Sequence, residues 1–549
     1  MTLRGEIIKE LEKLAPEGAE FSVFKPERPE FGDYSSNVAM VSKGSPLEVA
    51  EDLKKKLEKT KLFSKVEVAG PGFLNFFISP EVFIKNVEKI AKEKDGYGQN
   101  GALSGQKVIV EYTDPNPFKE FHIGHLMSNA IGESLARVFE ASGAEVKRAN
   151  YQGDVGLHVA KAIWGALKQN GSVDWGKAYV AGDKASEEDE NAKKDIAAIN
   201  KKVYERSDPE INKLYDEGRK LSLEDFEKIY KRLGTKFDFS FFESEGGPRG
   251  KEIVEDGLKK GVFEKSDGAI VYRGEKAGLH TRVFVNSEGL PTYEAKELGL
   301  APLKYEKFKY NLSFIVTGNE IVDYFKVLLA AMKEMFPDLA EKTRHVPHGM
   351  LRFVSGKMSS RKGNIITAQA LLDDVQERIL EIMKKGGELF DKEMKEISDK
   401  VAVGAVKYSI LRQSIGRDIV FDFKTSLSFE GDSGPYLQYT YARARSVIEK
   451  ANSAGVKPSV ANPPDEVGNV ERVLSAFPEI VERAYADLSP SHIASYLIEL
   501  AHAFNSFYAK ERIADAGEEA PYRVALAKAT AQVLKNGLWL LGISASERM

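Results

Sequence analysis

Val108-Ile109-Val110-Glu111-Tyr112-Thr113-Asp114-Pro115-Asn116-Pro117-Phe118-Lys119-Glu120-Phe121-His122-Ile123-Gly124-His125 is the stretch on which the reading of this 549-residue chain turns. Val108 to Val110 form a short unbroken apolar run, the pattern of a strand buried on both faces. Asp114-Pro115-Asn116-Pro117 breaks it, because two prolines and two turn-forming residues cannot extend a ladder. Leu126, Met127, Ala130, Ile131, Leu135, Val138 and Phe139 then recur at helical spacing until Gly143. His122 and His125 therefore lie three apart on one side of the helix's opening turn. Unpaired backbone N–H groups and the positive dipole end gather there, and Gly124 lets a ligand approach the backbone. A polyphosphate whose charge grows during reaction suits such a place. A His-x-x-His pair on its own is more often structural or metal-ligating; its position at a strand-to-helix switch favours phosphate.

Outward from this stretch, strand candidates recur at 269–272, 283–285, 314–316 and 349–353, with helical patterns between several of them. Strand–helix alternation predicts a Rossmann-like, largely parallel α/β sheet domain over 104–388. Residues 183–232, dense in Lys, Glu and Asp, read as a solvated helical insertion to which no chemistry is assigned. Residues 1–103 mix helical and strand patterns and close in the turn-rich run 96–101, predicting an N-terminal α+β domain. Amphipathic patterns such as 470–486 and 496–508 predict a C-terminal helical bundle over 389–549.

Composition bounds the function. Seventy-nine Lys+Arg against 83 Asp+Glu give a net charge of −4, so a uniformly basic nucleic-acid coat is excluded, while a locally basic face is not. With no cysteine, disulfides, thiolate nucleophiles and cysteine-ligated zinc are ruled out. The first fourteen residues carry Ile7, Ile8, Leu11 and Leu14 among charges, an ordinary amphipathic helix and not a signal peptide. No uncharged apolar run is long enough to span a membrane. A cytoplasmic monomer without membrane attachment is the expectation.

A second site candidate is Lys357-Met358-Ser359-Ser360-Arg361-Lys362-Gly363-Asn364, where cations, hydroxyls and a glycine could clamp phosphates. Alone, such a run is more often a solvated turn. Its separation from His122, about that of a nucleotide-binding fold with an insertion, ties the two sites together.

Together the two sites resemble the signatures of the class I aminoacyl-tRNA synthetases: His122-Ile123-Gly124-His125 matches that family's His-Ile-Gly-His, and Lys357-Met358-Ser359 its lysine-rich loop. The match narrows to the arginyl-tRNA synthetases at Glu111 to His122, at Asn150 to Gly156, at Pro291 to Gly299, at Gly434 to Arg443 and at the ending Leu540 to Met549. Phe31-Gly32-Asp33-Tyr34-Ser35-Ser36-Asn37 resembles the extra N-terminal domain with which that family touches the tRNA corner. The resemblance covers essentially the whole chain.

The resemblance implies ATP-dependent activation of L-arginine and its transfer to the 3′-terminal adenosine of tRNA(Arg), with magnesium on the ATP and no zinc. His122, His125, Lys119, Lys357 and Lys362 would serve the phosphates and the transition state. Gly124, His348, Gly349, Met350, Lys357 and Ser359 would line the ATP site. Glu111, Asn116, Tyr293, Glu297 and Asn319 would hold arginine, whose permanent charge needs planar acidic partners when desolvated. Asn37, Tyr439, Arg443, Tyr508 and Met549 would touch tRNA, aromatic stacking and Arg being the usual tools for unstacked bases. Two positions depart from the family pattern. Glu297 stands where aspartate is common, and Ser360 where the loop has a second lysine. Lys119, ranked slightly ahead of Lys362, could supply that missing cation. A lysine-specific synthetase and a silent tRNA-binding paralogue are the competing readings.

Overall fold

Ile7 and Leu11, predicted to share a helical face, are fully buried on α1 (Leu3–Glu12), whose first turn is capped by the Thr2 hydroxyl accepting from the Gly5 N–H. The computed structural model describes residues 2–16, 18–354, 366–384, 391–464, 466–514 and 517–549. They fall into two units, one formed by Met1–Ala102, Ser428–Leu540 and Ser544–Met549, the other by Leu103–Leu427 and Leu541–Ile543.

In the first unit, β1 (Val23–Phe24), β2 (Tyr34–Ser36), β3 (Phe63–Ala69) and β4 (Phe73–Ile78) make an antiparallel sheet in the order β1-β2-β4-β3, accompanied by α2 (Pro46–Leu57) and α3 (Pro80–Glu93). Val66, Leu74 and Phe76 pack with Leu53 and Leu57 in its core, the expected α+β arrangement.

The second unit is built on five parallel strands: β5 (Lys107–Tyr112), β6 (Glu145–Gln152), β7 (Phe239–Phe242), and later in the chain β11 (Leu312–Gly318) and β12 (Thr343–His348). Their order is β12-β11-β5-β6-β7. The chain runs outward from β5 through β6 to β7 and returns on the other side of β5. This creates a switch point at the C-terminal ends of β5 and β11, the place where such sheets bind ligands. Val108, Ile109 and Val110 are fully buried, as their unbroken apolar run predicts. Between the early strands come α4 (Ile123–Ala141), α5 (Leu157–Ala166) and a helical insertion of α6 (Trp175–Glu188), α7 (Glu190–Glu205) and α8 (Pro209–Leu233). The insertion thus begins before residue 183. After β7 come α9 (Glu243–Lys259), α10 (Tyr293–Lys307), α11 (Val322–Met335) and α12 (Pro337–Lys342).

Three strand candidates lie outside the parallel sheet. The apolar runs at 269–272 and 283–285 are β9 (Ala269–Tyr272) and β10 (Arg282–Val285), antiparallel partners of each other beside β8 (Glu264–Ser266). The β8–β9 turn has Asp267 and Gly268 both at positive φ, the geometry that makes Asp-Gly a hairpin turn. The run at 349–353 yields β13 (Leu351–Phe353), which among the described residues pairs with β14 (Ile419–Phe421) alone. Next to β14 in sequence stand α13 (Ala368–Lys384), α14 (Asp391–Leu411) and α15 (Phe423–Ser426), all in this second unit, so the division drawn after residue 388 falls inside it.

The chain then returns to the first unit as α16 (Gly434–Ser453), α17 (Asn469–Ala486), α18 (Ser491–Lys510) and α19 (Ala520–Leu540), a helical bundle. Within that unit the Tyr97 hydroxyl donates to the Leu474 carbonyl, and Asn536 donates to the carbonyls of Lys94 and Tyr97, joining bundle and N-terminal sheet. Among the described residues no helix is long and apolar enough to cross a membrane.

Candidate active site

The loop from β5 to α4 is strained. Thr113, Asp114 and Phe118 all take positive φ without being glycine, a cost that surrounding structure must hold in place. Three elements do so. The Thr113 N–H donates to Ser128 Oγ on α4 (3.0 Å), the Tyr151 N–H of β6 to Asp114 Oδ1 (2.8 Å), and the Phe118 N–H to Ser222 Oγ on α8 (2.9 Å).

This loop delivers the histidine pair to the first turn of α4. His122 is the N-cap: its Nδ1 accepts from the Gly124 N–H (3.1 Å), while the His122 N–H donates to His125 Nδ1 (3.2 Å). The two rings stack with centroids 3.6 Å apart. A Cβ on residue 124 would sit 2.9 Å from His122 Cε1, so a larger residue there would push on the capping ring. Burial, reinforced by Lys119, lowers the His122 pKa; burial, then His122 and Lys119, lowers that of His125 well below the ordinary value. Both imidazoles are neutral near pH 7. Because each Nδ1 is an acceptor, each proton sits on Nε2, leaving two N–H donors in one stacked pair.

Lys119 lies close enough to lower both histidine pKa values, and burial lowers its own. Its ammonium sits 5.3 Å from the ring centroid of Tyr179 on α6. Lys357, Ser359, Ser360 and Lys362 lie outside the described residues. The described chain resumes at Ile366, whose carbonyl accepts the Ile123 N–H (3.2 Å), and Thr367 bridges to His122.

Across the switch point the register pairs Gly318 of β11 with His348 of β12, so Asn319 and Glu320 emerge beside His348, Gly349 and Met350. His348 is buried, and its Nδ1 contacts the Gly349 carbonyl (2.8 Å). Met350 is half exposed, with its N–H donating to Asp418 Oδ1 (2.9 Å). Asn319 is exposed.

The residues expected to bind arginine sit in a buried acidic group. Glu111 is committed to Lys304 at 2.7 Å, both side chains being 2% exposed, so it faces a lysine of its own chain. Glu243, which the sequence reading missed, pairs with Lys296 at 2.6 Å and is also buried. Glu297 is buried, and burial, then the charges of Glu111 and Asp114, raises its pKa well above the carboxylate range. Burial and Glu111 do the same to Asp114. The Tyr151 hydroxyl, near Glu243 and Glu297, is buried and has no hydrogen-bond partner among the described residues. Four carboxyl groups share two lysines. The surplus acid suits a cationic guest. Asn116 packs against Gly153, and Tyr293 is largely exposed at the start of α10.

Asp154 ties these parts together. Fully buried, it accepts from Tyr215 Oη and Arg219 Nε of α8 and from Ser244 N and Oγ of α9 (2.7–3.0 Å), fixing the backbone next to Glu243. Glu243 follows directly on the aromatic run of β7; an acid at a strand's C-terminal end is the signal by which it could have been found.

In the other unit, Arg443 of α16 donates to Asn505 Oδ1 and to Tyr439 Oη (3.3 Å), and its guanidinium lies 4.7 Å from the Tyr439 ring and 5.3 Å from Tyr508. The structure thus brings these three expected residues together. Asn37 accepts from the N–H and hydroxyl of Ser22, and Met549 is half-buried at the chain end.

Comparison with known proteins gives the class first. Residues 86–423 match the family model described as tRNA synthetases class I (R), catalytic domain, so the unit carrying the stacked histidines is a class I tRNA synthetase catalytic domain. Residues 1–78 match the arginyl tRNA synthetase N terminal domain, and 437–549 the DALR anticodon binding domain. The chain is 34% identical to the arginine–tRNA ligase of Clostridium perfringens, covering 100% of this chain and 99% of that one, and 34% identical to that of Clostridium kluyveri over 95% of each. Its fold is similar to the arginyl-tRNA synthetases of Thermus thermophilus (TM-score 0.76, 23% identity, 100% of both chains) and Plasmodium falciparum (0.78, 21%, 100% and 98%). The chain belongs to the arginyl-tRNA synthetase family.

Proposed function

We propose that this chain is an ATP-dependent arginine–tRNA ligase and that the residues at the switch point divide its two substrates between them. The observation that carries the reading is one of charge. Two neutral Nε2–H donors and a desolvated lysine gather at the start of α4, while a buried excess of carboxyl groups gathers around Glu297. The first environment suits phosphate, the second a guanidinium.

In the first step an arginine carboxylate oxygen attacks the α-phosphorus of ATP, the bond to the bridging oxygen breaks, and pyrophosphate leaves. His122 and His125 donate to the phosphate oxygens as charge builds, and Lys119 adds a fixed cation; Lys357 and Lys362 serve the same phosphates. Gly124 lets the phosphates approach the backbone, Ser359 adds a hydroxyl, and His348, Gly349 and Met350 line the adenine. Glu297 pairs with the guanidinium, with Tyr293, Asn116 and Asn319 as polar partners. Glu111, already held by Lys304, contributes field more than contact. In the second step the 2′-hydroxyl oxygen of the terminal adenosine attacks the arginyl carbonyl, loses its proton, and AMP leaves. Asn37, Tyr439, Arg443, Tyr508 and Met549 serve tRNA binding. Magnesium in this reading would arrive with the ATP as a phosphate-bound ion and would supply charge neutralisation on the triphosphate.

The test is charging of total tRNA with each amino acid, with and without tRNA present during activation. Arginylation alone is the expected result; lysylation without arginylation, or no product at all, contradicts it.

A further inference from the structure

The helical insertion does more than present a charged face to solvent. On α6, Tyr179 and Asp183 stand one turn apart and meet two different lysines. Asp183 pairs with Lys161 at 2.8 Å, while Tyr179 offers its ring to Lys119. Among the described residues the Lys119 ammonium has no hydrogen bond or ion pair; burial lowers its pKa, while the charges of Asp183 and Glu243 nearby work against that fall without contacting it. The helix that carries Tyr179 is closely seated. A Cβ on Gly165 of α5 would lie 2.0 Å from the Ala178 carbonyl oxygen, and one on Gly182 of α6 would lie 2.0 Å from that of Lys161, so the two backbones touch on either side of Tyr179.

A carboxylate in the place of that ring would neutralise Lys119 and compete with phosphate for it. An aromatic face attracts the ammonium electrostatically while leaving its charge and N–H donors uncommitted. We propose that Tyr179 is a positioning residue for amino-acid activation, holding the uncommitted Lys119 ammonium beside His122 and His125 so that an incoming triphosphate meets a fixed cation. The insertion is then part of the activation machinery. This inference rests on the reading of Lys119 as a phosphate-binding cation.

The experiment uses the full chain with arginine and cognate tRNA saturating, and reads kcat/KM for ATP in pyrophosphate exchange. Y179L is expected to lower it by roughly 2- to 30-fold, the range of a cation–π contact, leaving KM for arginine unchanged, while Y179F and Y179W, which keep the ring face, stay near wild type. In a K119M background, Y179L should have no further effect. The inference is overturned alone if K119M is impaired and Y179L is silent, if Y179F loses as much as Y179L, or if Y179L costs the same with and without Lys119. Unchanged ATP parameters in K119M overturn the reading of Lys119 itself, and the inference with it.

Discussion

Two regions meet at the switch point and handle charge in opposite ways. At the start of α4 ionisation is suppressed. Two stacked histidines are kept neutral by burial and by the nearby Lys119, and that lysine is held against an aromatic ring. Around α10 ionisable groups are concentrated, with Glu111–Lys304 and Glu243–Lys296 as buried pairs and the Glu297 and Asp114 carboxyls in excess. The difference follows from the guests. ATP brings negative charge and needs donors that cost little to keep dehydrated. Arginine brings a charge that cannot be removed, so the site must hold the opposite charge ready, and structural lysines keep that stock of acid tolerable.

The largest effect expected from breaking this contrast is structural. K304M would strand the fully buried Glu111 carboxylate, and denaturant unfolding should show a loss of about 3–5 kcal/mol. Adding E111Q should recover most of it. A K304M protein as stable as wild type would mean that Glu111 finds another partner. On the phosphate side, H122A removes both an N–H donor and the cap, so the activation rate should fall roughly 10²- to 10³-fold with tRNA affinity kept. Equal losses in both would make the histidine structural.

On the arginine side, E297Q keeps the shape and removes the charge. Hydrogen bonds to charged groups contribute about 1.5–3 kcal/mol, so KM for arginine should rise roughly 10- to 150-fold. The pH dependence sharpens the same point. Burial and Glu111 raise the Glu297 pKa in the empty site, and guanidinium binding favours the ionised form. Arginine binding should therefore release a proton and tighten as pH rises through that raised pKa, levelling off above it. Calorimetry in buffers of different ionisation enthalpy reads this directly, and E297Q should abolish the proton release. The smallest effect is expected in the other unit, where R443A should weaken tRNA binding by about 1–3 kcal/mol without moving ATP or arginine parameters.

What the sequence reveals depends on how local each device is. The histidine site is contained within four residues, cap and stacked partner together, and so it is legible from the chain. The buried ion pairs are not. Glu243 and Lys296 are 53 residues apart and Glu111 and Lys304 are 193 apart, and nothing local marks either as half of a pair. Strand β5 announces itself by an unbroken apolar run, whereas its neighbour β6 does not, because Arg148, Asn150 and Gln152 are polar; Arg148 enters the packed sheet by pairing with Glu133 and Glu140 of α4. Conversely, the apolar runs at 269–272 and 283–285 look like core strands, but apolarity does not name a partner, and they pair with each other. The run 183–232 reads as solvated because it is dense in Lys, Glu and Asp, yet Tyr215 and Arg219 turn inward to Asp154, and Tyr179, just before that run on α6, faces Lys119.

The most direct test of the division between the two regions is arginine-dependent pyrophosphate exchange with tRNA present, titrated in both substrates for wild type, H122A and E297Q. H122A should lower kcat with KM for arginine unchanged, and E297Q should raise KM for arginine with KM for ATP unchanged. Either variant shifting both substrates alike would contradict the account.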